Sequence, residues 1–448
     1  MVPNRIVAIV GFSYDSIKFR TASAFTSSLI DGTSPAYSTD SRSAPNFFTS
    51  VRMMSSSSNN EVVIVSYART PICAFRGALA SLKAPHLGSI AIKGAIDRAG
   101  LQPDQIEEVY MGHVLQGNVG QAPARQACLG AGIPTSVPCT TVNKVCASGM
   151  KAIALAAQNI MTGNADVMVA GGMESMSNAP YYLQRGETAY GGVELKDAIL
   201  TDALTDAYKQ IHMGLCAENT NVTLGITRQE QDHYAQQSYE RAQAAQASGV
   251  LAAEIVPVTV KGVRGKPDTL VSEDDECKKA DFTKFPTLKP VFKKDGGSVT
   301  AANASSLNDG AAALVLMSRA KADALGVKPL AKIVAFGDAA TEPIDFPLAP
   351  VLVMPKLLQQ AGVSQEDVAM FEINEAFSCV AIAAIKKLNI NPSKVNVNGG
   401  AVALGHPVGM SGARIVGHMA LNLKPGEYGL AGVCNGGGGA GGMLIQRL

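Results

Sequence analysis

The sequence contains no tryptophan, and aromatic residues make up only 5% of its 448 residues. Long hydrophobic runs are also missing, because none approaches the ~20 apolar residues that a membrane-spanning helix needs. The net charge is only +1, so the chain lacks the global basic field typical of proteins that bind nucleic acid or anionic membranes. We therefore expect neither nucleic acid nor a membrane among its partners.

Cysteine is present but not in patterns that build a scaffold. The eight cysteines form no C-x-x-C pair and no Cys/His cluster with zinc-finger spacing. The default expectation is therefore reduced thiols in an intracellular compartment. Most of these thiols should be buried and inert, which leaves one or two as candidates for chemistry.

Glycine and small aliphatic residues are abundant. There are 44 glycines, and 47% of the residues are hydrophobic, with short Val and Ile runs scattered along the chain. This composition is more typical of an α/β enzyme than of a β-sandwich or a coiled coil. A length of 448 residues is too great for one simple core and indicates two or three structural units.

The first segment, residues 1–60, differs from the rest of the chain. It is rich in Ser, Thr and Ala, carries more basic than acidic residues, and ends in SVRMMSSSSNN. Such a segment cannot build much core. Its basic, hydroxyl-rich composition is typical of a mitochondrial transit peptide, which predicts a location in the mitochondrial matrix. A plain disordered leader is the alternative interpretation.

The ordered chain is expected to begin at the apolar strand EVVIVSYARTP, which opens a first α/β half over residues 61–177. Residues 178–305 change to amphipathic helices and a charged, proline-interrupted run, and we interpret them as an inserted loop or cap domain. Strand–helix alternation then returns. Residues 306–325 complete the first half, and residues 326–448 form the second half.

A weak internal repeat relates the two halves. The stretch TTVNKVCASGMKAI contains Cys146, and the stretch KVNVNGGAVALGHPVGMSGARIV contains His406. Each shows a short apolar strand, a Gly/Ser turn and a small-residue helix, and each is followed by a strand that ends in glycines. The second of those strands contains Cys434. Because α/β sheets place their sites at the carboxyl ends of strands, we expect these three residues to face one another.

Cys146 has two interpretations. A thiolate is the nucleophile, and a helix N-terminus and a nearby imidazole both lower the pKa of a thiol, so the strand–Cys–helix context favours a nucleophile. Free cysteine is also among the most buried residue types, which makes a core residue the alternative. From the local sequence alone, the two interpretations are about even.

Two further positions are candidates for chemistry. His406 lies in a Gly-His-Pro turn just before a helix. None of the other five histidines lies in such a tightly specified turn, so His406 is the best candidate for a general base, with a structural histidine as the alternative. In FEINEAF, Asn374 can orient a water or an oxyanion. The neighbouring Glu375 fits a helix cap or brace equally well.

The glycines after Cys434 formally match a dinucleotide-binding pattern over residues 436–441. Only seven residues follow, so there is no room for the helix, the second strand and the ribose-binding acid of that motif. We expect these glycines to permit close backbone approach to a ligand oxygen, with a tight packing turn as the alternative.

In the cap, the HMG stretch at 212–214 could line an acyl tunnel, although its spacing alone favours packing. A phosphate-rich ligand or a solvated loop would each explain the cap lysines Lys278, Lys279, Lys284, Lys289, Lys293 and Lys294.

The sequence resembles the thiolases, above all the mitochondrial members that act on acetoacetyl-CoA. The resemblance is carried by four motifs: VNKVCASGMKA, NEAF, GGAVALGHPVGMSGAR and CNGGGGAG. The resemblance runs from residue 61 to the C-terminus. It implies a duplicated five-layered α/β fold with an inserted loop domain, no covalent cofactor, and a homotetramer built as a dimer of dimers. The implied activity is reversible condensation of two acetyl-CoA to acetoacetyl-CoA and CoA, with 2-methylacetoacetyl-CoA as a further substrate for thiolysis.

The resemblance also implies roles for individual residues. Cys146 would carry the acetyl group, His406 would take its proton, and Cys434 would move the proton at the α-carbon of acetyl-CoA. One oxyanion hole would consist of His406 and a water held by Asn374. The other would consist of the backbone N–H groups of Cys146 and Gly436.

CoA and potassium contacts follow from the same resemblance. The implied CoA contacts are Tyr239, Lys279, Ala280, Asp281, Lys284 and Ser305. The implied potassium ligands are the Tyr239 phenol and the main-chain oxygens of Ala301, Ala302, Ala304 and Val402. The family pattern has arginine where this chain has Lys279, and an ammonium keeps the charge but lacks the guanidinium fork. A carboxylate at Asp281 would repel phosphate, so its contact would go to the adenine or through the backbone.

Two alternatives accompany this interpretation. One is another condensing enzyme of the same fold, such as a ketoacyl synthase, and the other is an inactive thiolase-fold carrier. The second thiol, Cys434, speaks against the first, because decarboxylating enzymes do not need it as a proton shuttle. The presence of all four motifs speaks against the second.

Overall fold

The structure is a computed structural model, and it describes residues 61–186 and 190–448. The predicted leader, residues 1–60, lies outside the described residues. The strands are β1 Val62–Arg69, β2 Cys73–Ala74, β3 Glu108–Gly112, β4 Cys139–Val142, β5 Val167–Ser175, β6 Tyr181–Tyr182, β7 Lys196–Asp197, β8 Val258–Val260, β9 Thr269–Val271, β10 Asn308–Ser318, β11 Ala331–Ala340, β12 Val368–Ile373, β13 Tyr428–Asn435 and β14 Gly439–Arg447. The α-helices are α1 Ala84–Ala99, α2 Pro123–Gly130, α3 Ser148–Met161, α4 Met213–Leu224, α5 Arg228–Ala247, α6 Arg319–Leu325, α7 Ala349–Ala361, α8 Ser378–Leu388, α9 Ala401–Leu404 and α10 Val408–Asn422.

The main sheet shows the internal repeat directly. Its strand order is β12-β13-β14-β11-β1-β10-β5-β3-β4, with β2 paired to β10. In the first half, β3 runs parallel to β5, and β5, β10 and β1 then pair antiparallel. In the second half, β12 runs parallel to β13, and β13, β14 and β11 pair antiparallel in the same way. Among the described residues, the strands of the two halves pair with each other only at a short seam, where β1 meets β11 at Val63↔Lys332 and Ile64↔Ala331.

Helices cover the sheet in three layers. Helices α1 and α2 pack on the outer face of the first half, and α7 and α8 pack on the outer face of the second half. Helices α3 and α10 lie between the halves and contact strands of both. The result is an α-β-α-β-α arrangement of five layers, which confirms the predicted fold class. Among the described residues, no helix has the length and apolar content needed to cross a bilayer.

Glycines bring the two central helices together. A Cβ on Gly149 in α3 would lie 2.8 Å from the Gly409 carbonyl oxygen, and a Cβ on Gly412 in α10 would lie 2.7 Å from the Met150 nitrogen. Any larger residue at either position would force the helices apart. This contact matters for the site, because Cys146 directly precedes α3 and His406 directly precedes α10.

The segment between β5 and β10 consists of two long helices and small hairpins. Helix α5 begins with a capping box, in which the Thr227 hydroxyl accepts from the Glu230 N–H and the Glu230 carboxylate accepts from the Thr227 N–H. The helix ends at Ala247, and Gly249 follows with a φ of 84°. Strands β6 and β7 form one hairpin, and β8 and β9 form another.

Buried charges tie this segment to the sheet. Arg69 of β1 lies 2.7 Å from the Glu254 carboxylate and 2.8 Å from the Asp274 carboxylate, and all three side chains are fully buried. Glu254 also contacts His418 of α10. Burial alone would raise the pKa of Glu254, but the charges of His418 and Arg69 outweigh it and lower that pKa to about 2. The carboxylate is therefore ionised throughout the physiological range.

We expect Glu254→Gln to lower the free energy of unfolding by about 3–5 kcal/mol, because it removes the carboxylate nearest to the buried His418 and leaves Arg69 with Asp274 alone. The pKa of Glu254 is depressed from 4.5 to about 2. Its contribution is therefore present above pH 4.5 and is lost as the pH falls toward 2. Thermal unfolding at neutral pH measures the effect. Glu273→Gln, at an exposed carboxylate paired with Lys278, is the control and should change the free energy of unfolding little. An equal loss of unfolding free energy in the two variants would contradict the prediction.

Candidate active site

The turn around Cys146 is short and held by its own side chains. Strand β4 ends at Val142 and α3 begins at Ser148. The Ser148 hydroxyl accepts from the Lys144 N–H at 2.8 Å and donates to the Val145 carbonyl at 2.6 Å. Val145 has a φ of 48°, which is costly for a β-branched residue. This strained turn directs Cys146 out of the strand at the N-terminus of α3.

Two backbone donors converge on the Cys146 sulfur. They are the N–H groups of Gly436, which follows β13 in the other half, and of Cys146 itself. Both favour the thiolate, but burial is the larger effect and raises the pKa of the Cys146 thiol to about 12. The expectation that the helix N-terminus and an imidazole lower this pKa is therefore wrong for the protein without substrate. The two N–H donors are instead placed to stabilise a negative charge that develops at this point.

His406 is held in one orientation. Its backbone N–H donates to the Asn308 side-chain oxygen at 2.9 Å. Its Nδ1 lies 2.6 Å from the Ser411 hydroxyl, which itself donates to the Pro407 carbonyl at 3.1 Å. Because that hydroxyl has a single proton, it accepts from Nδ1–H. Nε2 therefore carries the lone pair and can take up a proton.

The imidazole of His406 is neutral at physiological pH. Burial is the main cause, and the positive charge of Arg414 adds to it; together they lower the pKa of His406 to about 4. Nε2 lies 3.4 Å from the Asn374 side-chain nitrogen, which donates to it. The Asn374 side-chain oxygen is buried and has no hydrogen-bond partner within residues 61–186 and 190–448. Nε2 and Asn374 thus present polar atoms side by side.

Glu375, next to Asn374, braces the backbone rather than reaching the site. Its carboxylate accepts hydrogen bonds from Tyr234, Ser238, Asn396 and the Val402 N–H, at 2.7–3.0 Å. A Cβ on Gly400 would lie 2.2 Å from that carboxylate, so the glycine is required there. Of the two roles considered from the sequence, the contacts show a brace.

A cavity of about 330 Å³ opens onto these groups. Its lining includes Cys146, His406 and Gly436, which carry the reactive groups, and it also includes Ser305. His212 and Met213 also line it, with the His212 ring stacked on Phe292 at 4.6 Å, so the preference for ordinary packing at the HMG stretch was wrong. The remaining wall is mostly apolar and includes Met176, Leu200, Ala203, Leu204, Phe346 and Phe377. Such a cavity suits a short apolar acyl group next to a thiol and an imidazole.

Family comparison agrees with this geometry. Residues 62–320 match the thiolase N-terminal domain, and residues 327–447 match the thiolase C-terminal domain. The chain belongs to the thiolase family. This assignment accounts for the repeat in the sheet, since each half of the fold corresponds to one of the two domains.

Individual relatives cover most of this thiolase. The Bos taurus protein named mitochondrial acetyl-CoA acetyltransferase is 64% identical over 389 residues, which are 87% of this chain and 92% of that protein. The Homo sapiens protein of the same name is 63% identical over 388 residues, 87% of this chain and 91% of that one. Among solved structures, the Acat5 thiolase from Ascaris suum in complex with coenzyme A has a TM-score of 0.83 and 48% identity, covering 87% of this chain and 100% of that one.

The second candidate cysteine of this thiolase, Cys434, lies on β13 and is not among the residues that line the cavity. Its side chain is fully buried, in the same apolar cluster as Cys379 of α8. Burial raises the pKa of the Cys434 thiol, and negative charge on Cys146 raises it further. The second effect shows that the two sulfurs are close enough to influence each other. Cys434 is consequently a neutral thiol at physiological pH.

The residues implied for CoA and potassium fall into three places. Ala304 and Ser305 line the cavity. Tyr239, Ala280, Ala302 and Val402 lie together in a small apolar cluster beside it, whereas Ala301 is exposed. The charged residues lie on the surface: Lys284 pairs with Asp281 at 2.9 Å, and Lys279 lies 3.5 Å from Asp275. The charged members of this set thus lie on the surface, and Lys279, Asp281 and Lys284 are not among the residues that line the cavity.

Sequence reasoning missed the residues that orient this site. Ser411 fixes the tautomer of His406, and Asn308 holds its backbone. Glu174 accepts from the N–H groups of Gly409, Val114 and Leu115, and so ties the first turn of α10 to the first half. A serine five residues after His406, one turn into the helix, is a local signal for Ser411. Glu174 and Asn308 act across the fold and have no such signal.

Alkylation of Cys146 by iodoacetamide should keep accelerating with pH above 9, because only the thiolate reacts and burial raises this pKa to about 12. Cys139 is an internal reference, since a hydrogen bond with Cys128 and the nearby Arg125 lower its pKa to about 7. Its alkylation should level off at much lower pH. Peptide mass spectrometry resolves the two sites, and a plateau for Cys146 near neutral pH would refute the expected order.

Proposed function

We propose that the chain is an acetyl-CoA C-acetyltransferase, which catalyses the reversible Claisen condensation of two acetyl-CoA to acetoacetyl-CoA plus CoA. The observation that carries the proposal is the Cys146 sulfur beneath two backbone N–H groups, in the same cavity wall as His406. The printed names of the bovine and human relatives support the substrate. Those names also support a mitochondrial location, in agreement with the predicted leader.

The first half-reaction transfers an acetyl group to Cys146. As the sulfur attacks the thioester carbonyl of acetyl-CoA, its proton moves to Nε2 of His406, which keeps it. The carbon–sulfur bond to CoA then breaks, and the CoA thiolate takes the proton of Cys434. A pKa of about 12 for the thiol and about 4 for the imidazole means that both are neutral beforehand. The proton therefore transfers as the bond to carbon forms. The N–H groups of Cys146 and Gly436 receive the oxyanion of the tetrahedral intermediate.

The second half-reaction forms the carbon–carbon bond. Cys434, now a thiolate, removes a proton from the methyl group of a second acetyl-CoA, and the resulting enolate attacks the acetyl group on Cys146, whose thiolate then leaves. Nε2–H of the protonated His406, with a water held by Asn374, stabilises the enolate oxygen and afterwards returns its proton to Cys146. The Asn374 amide nitrogen contacts Nε2 and its oxygen is otherwise unpartnered among the described residues, which supports this placement.

For CoA, we propose that the adenine and phosphate end lies over Tyr239, Ala280 and Asp281 with Lys279 and Lys284, and that the pantetheine passes Ser305. The side chains of Lys279 and Lys284 are 53% and 71% exposed, so both can turn from their surface ion pairs with Asp275 and Asp281 toward a phosphate. For potassium, the proposed ligands Tyr239, Ala302 and Val402 share one cluster. Burial and the carboxylates Glu276 and Glu375 raise the Tyr239 pKa to about 12, and the same negative charges favour a cation. A bound potassium ion would order this region beside the acyl cavity.

The proposed assembly is a homotetramer. Large apolar side chains stand exposed between residues 181 and 208, where an isolated chain would leave them in water. They are Tyr181, Leu183, Tyr190, Val193, Leu195, Leu200 and Tyr208. Light scattering of the purified protein measures the assembly directly.

The decisive experiment incubates the protein with acetyl-CoA and locates any acetyl group by peptide mass spectrometry. One acetyl group on Cys146, followed by release of acetoacetyl-CoA, supports the proposal. No acetyl group on Cys146 would instead indicate an inactive carrier. Condensation of malonyl thioesters but not of acetyl-CoA would indicate a decarboxylating enzyme.

A substrate panel then defines the acyl range. Thiolysis of acetoacetyl-, 2-methylacetoacetyl- and longer 3-ketoacyl-CoA is compared with and without potassium. We expect turnover of the first two and stimulation by potassium, because the apolar cavity of about 330 Å³ has room for one extra methyl group. No turnover of the 2-methyl substrate in either condition would remove the branched-chain activity.

A further inference from the structure

Two turns from opposite halves of the fold meet at Cys146. The nucleophile turn, residues 143–147, carries the sulfur. The glycine turn, residues 435–438, brings Gly436 against the nucleophile turn: a Cβ on Gly436 would lie 3.6 Å from the Val145 side chain, Gly436 and Cys146 line the same cavity, and the Gly436 N–H favours the Cys146 thiolate. An oxyanion hole works only when both donors are aimed at one point. The aim of the Gly436 N–H therefore depends on how these two turns are fixed to each other.

Lys144 crosses from the first turn to the second. Its Nζ lies 3.0 Å from the Ala440 carbonyl oxygen, 2.8 Å from the Asp338 carboxylate and 3.4 Å from the Asn435 side-chain oxygen. The Asn435 side-chain nitrogen in turn donates to the Gly436 carbonyl at 2.8 Å. A chain of hydrogen bonds thus runs from the residue two before Cys146 to the residue that provides the second donor.

We propose that Lys144 and Asn435 are positioning residues that hold the Gly436 N–H against Cys146 and so set the geometry of this oxyanion hole. The inference rests on the proposed acetyl transfer at Cys146. Neither side chain lines the cavity, so both act through Gly436 and the nucleophile turn. The ammonium joins two turns that follow β4 and β13, strands that lie near opposite ends of the sheet and do not pair with each other.

The contacts of Lys144 indicate that it affects the rate of acetyl transfer rather than the stability of the fold. The Lys144 side chain is 24% exposed and Asp338 is 38% exposed, and partly exposed ion pairs contribute little to folding. Donor placement, by contrast, is sensitive, because an error of about 1 Å in a reacting group can cost about 100-fold in rate. Lys151 supplies a natural comparison. It lies 2.7 Å from the same Asp338 carboxylate, and no contact joins it to the glycine turn among the described residues.

The test compares Lys144→Met with Lys151→Met in two single-turnover reactions of the full-length protein. One is acetylation of Cys146 by acetyl-CoA, which passes through an oxyanion. The other is alkylation of Cys146 by iodoacetamide, which forms no oxyanion. For Lys144→Met we expect acetylation to slow by about 10- to 100-fold while alkylation keeps its wild-type rate. Lys151→Met should leave both rates unchanged.

Asn435→Ala is a second variant, which keeps the proposal testable if Lys144→Met does not fold, and it should show the same selective loss. Lys144→Arg should recover part of the acetylation rate, because it keeps the charge but not the reach to each acceptor. Wild-type acetylation rates in Lys144→Met or Asn435→Ala would overturn the proposal. Equal loss of acetylation and alkylation would also overturn it. Absence of acetylation in the unmodified protein would count against the proposed function instead.

Discussion

Cys434→Ala is expected to keep acetylation of Cys146 and to lose carbon–carbon bond formation by about 100- to 10,000-fold, the usual contribution of a general acid–base group. Cys434 is fully buried and is not among the residues that line the cavity, but charge on Cys146 affects its pKa. In the proposed second half-reaction its sulfur acts on the α-carbon, whereas in the first it only protonates the departing CoA thiolate, which water can do in its place. Acetyl-enzyme formation and acetoacetyl-CoA synthesis, measured separately on one protein sample, test the separation of the two steps.

Cys379→Ala is the matched control for this variant. Cys379 is also fully buried, lies in the same apolar cluster and is close enough to contribute to the raised pKa of Cys434. Removing its sulfur creates a similar small cavity without removing the proposed proton shuttle. We expect this control to condense acetyl-CoA. Normal condensation by Cys434→Ala would contradict the thiolase mechanism, and loss of both half-reactions in both variants would point to packing.

Cys146→Ala should abolish acetyl-enzyme formation and lower turnover by more than about 10,000-fold, because Cys146 is the one thiol among the described residues that line the cavity. The fold should be unaffected, since Cys146 contributes one small side chain to a large cluster. Acetyl incorporation and the far-ultraviolet circular dichroism spectrum report on the two effects. Cys139→Ala, in the strand that leads to this turn, is the control and should remain active. Residual acetylation elsewhere in Cys146→Ala would locate the nucleophile at another residue.

Much of the fold followed from local patterns. The apolar strands, the small-residue helices and the repeat between the Cys146 and His406 stretches predicted two α/β halves, and the sheet order shows that repeat strand by strand. The HMG stretch at 212–214 was misjudged, because its spacing resembles packing on any helix. Its place in the cavity wall depends on Phe292, which lies far along the chain and stacks on His212.

The site was predictable to the extent that its chemistry is local. The Gly-His-Pro turn, the cysteine before a helix and the glycines after Cys434 each occupy a few consecutive residues. The pKa of Cys146 was not predictable in this way. A helix N-terminus lowers a thiol pKa, but burial by two packed halves raises it more, to about 12. Burial is a sum over the whole structure, whereas the helix N-terminus is visible in the sequence.

The fold class, the family resemblance and the identity of the reactive groups could all be read from short stretches of the chain, because side-chain chemistry and turn preferences act locally. The orientation of those groups depends on long-range packing. Ser411 selects the tautomer of His406, the Gly436 N–H meets the Cys146 sulfur from the opposite half, and Lys144 joins the two turns. Each of these contacts depends on α3 and α10 packing closely between the sheets. That close approach is a property of the folded chain as a whole.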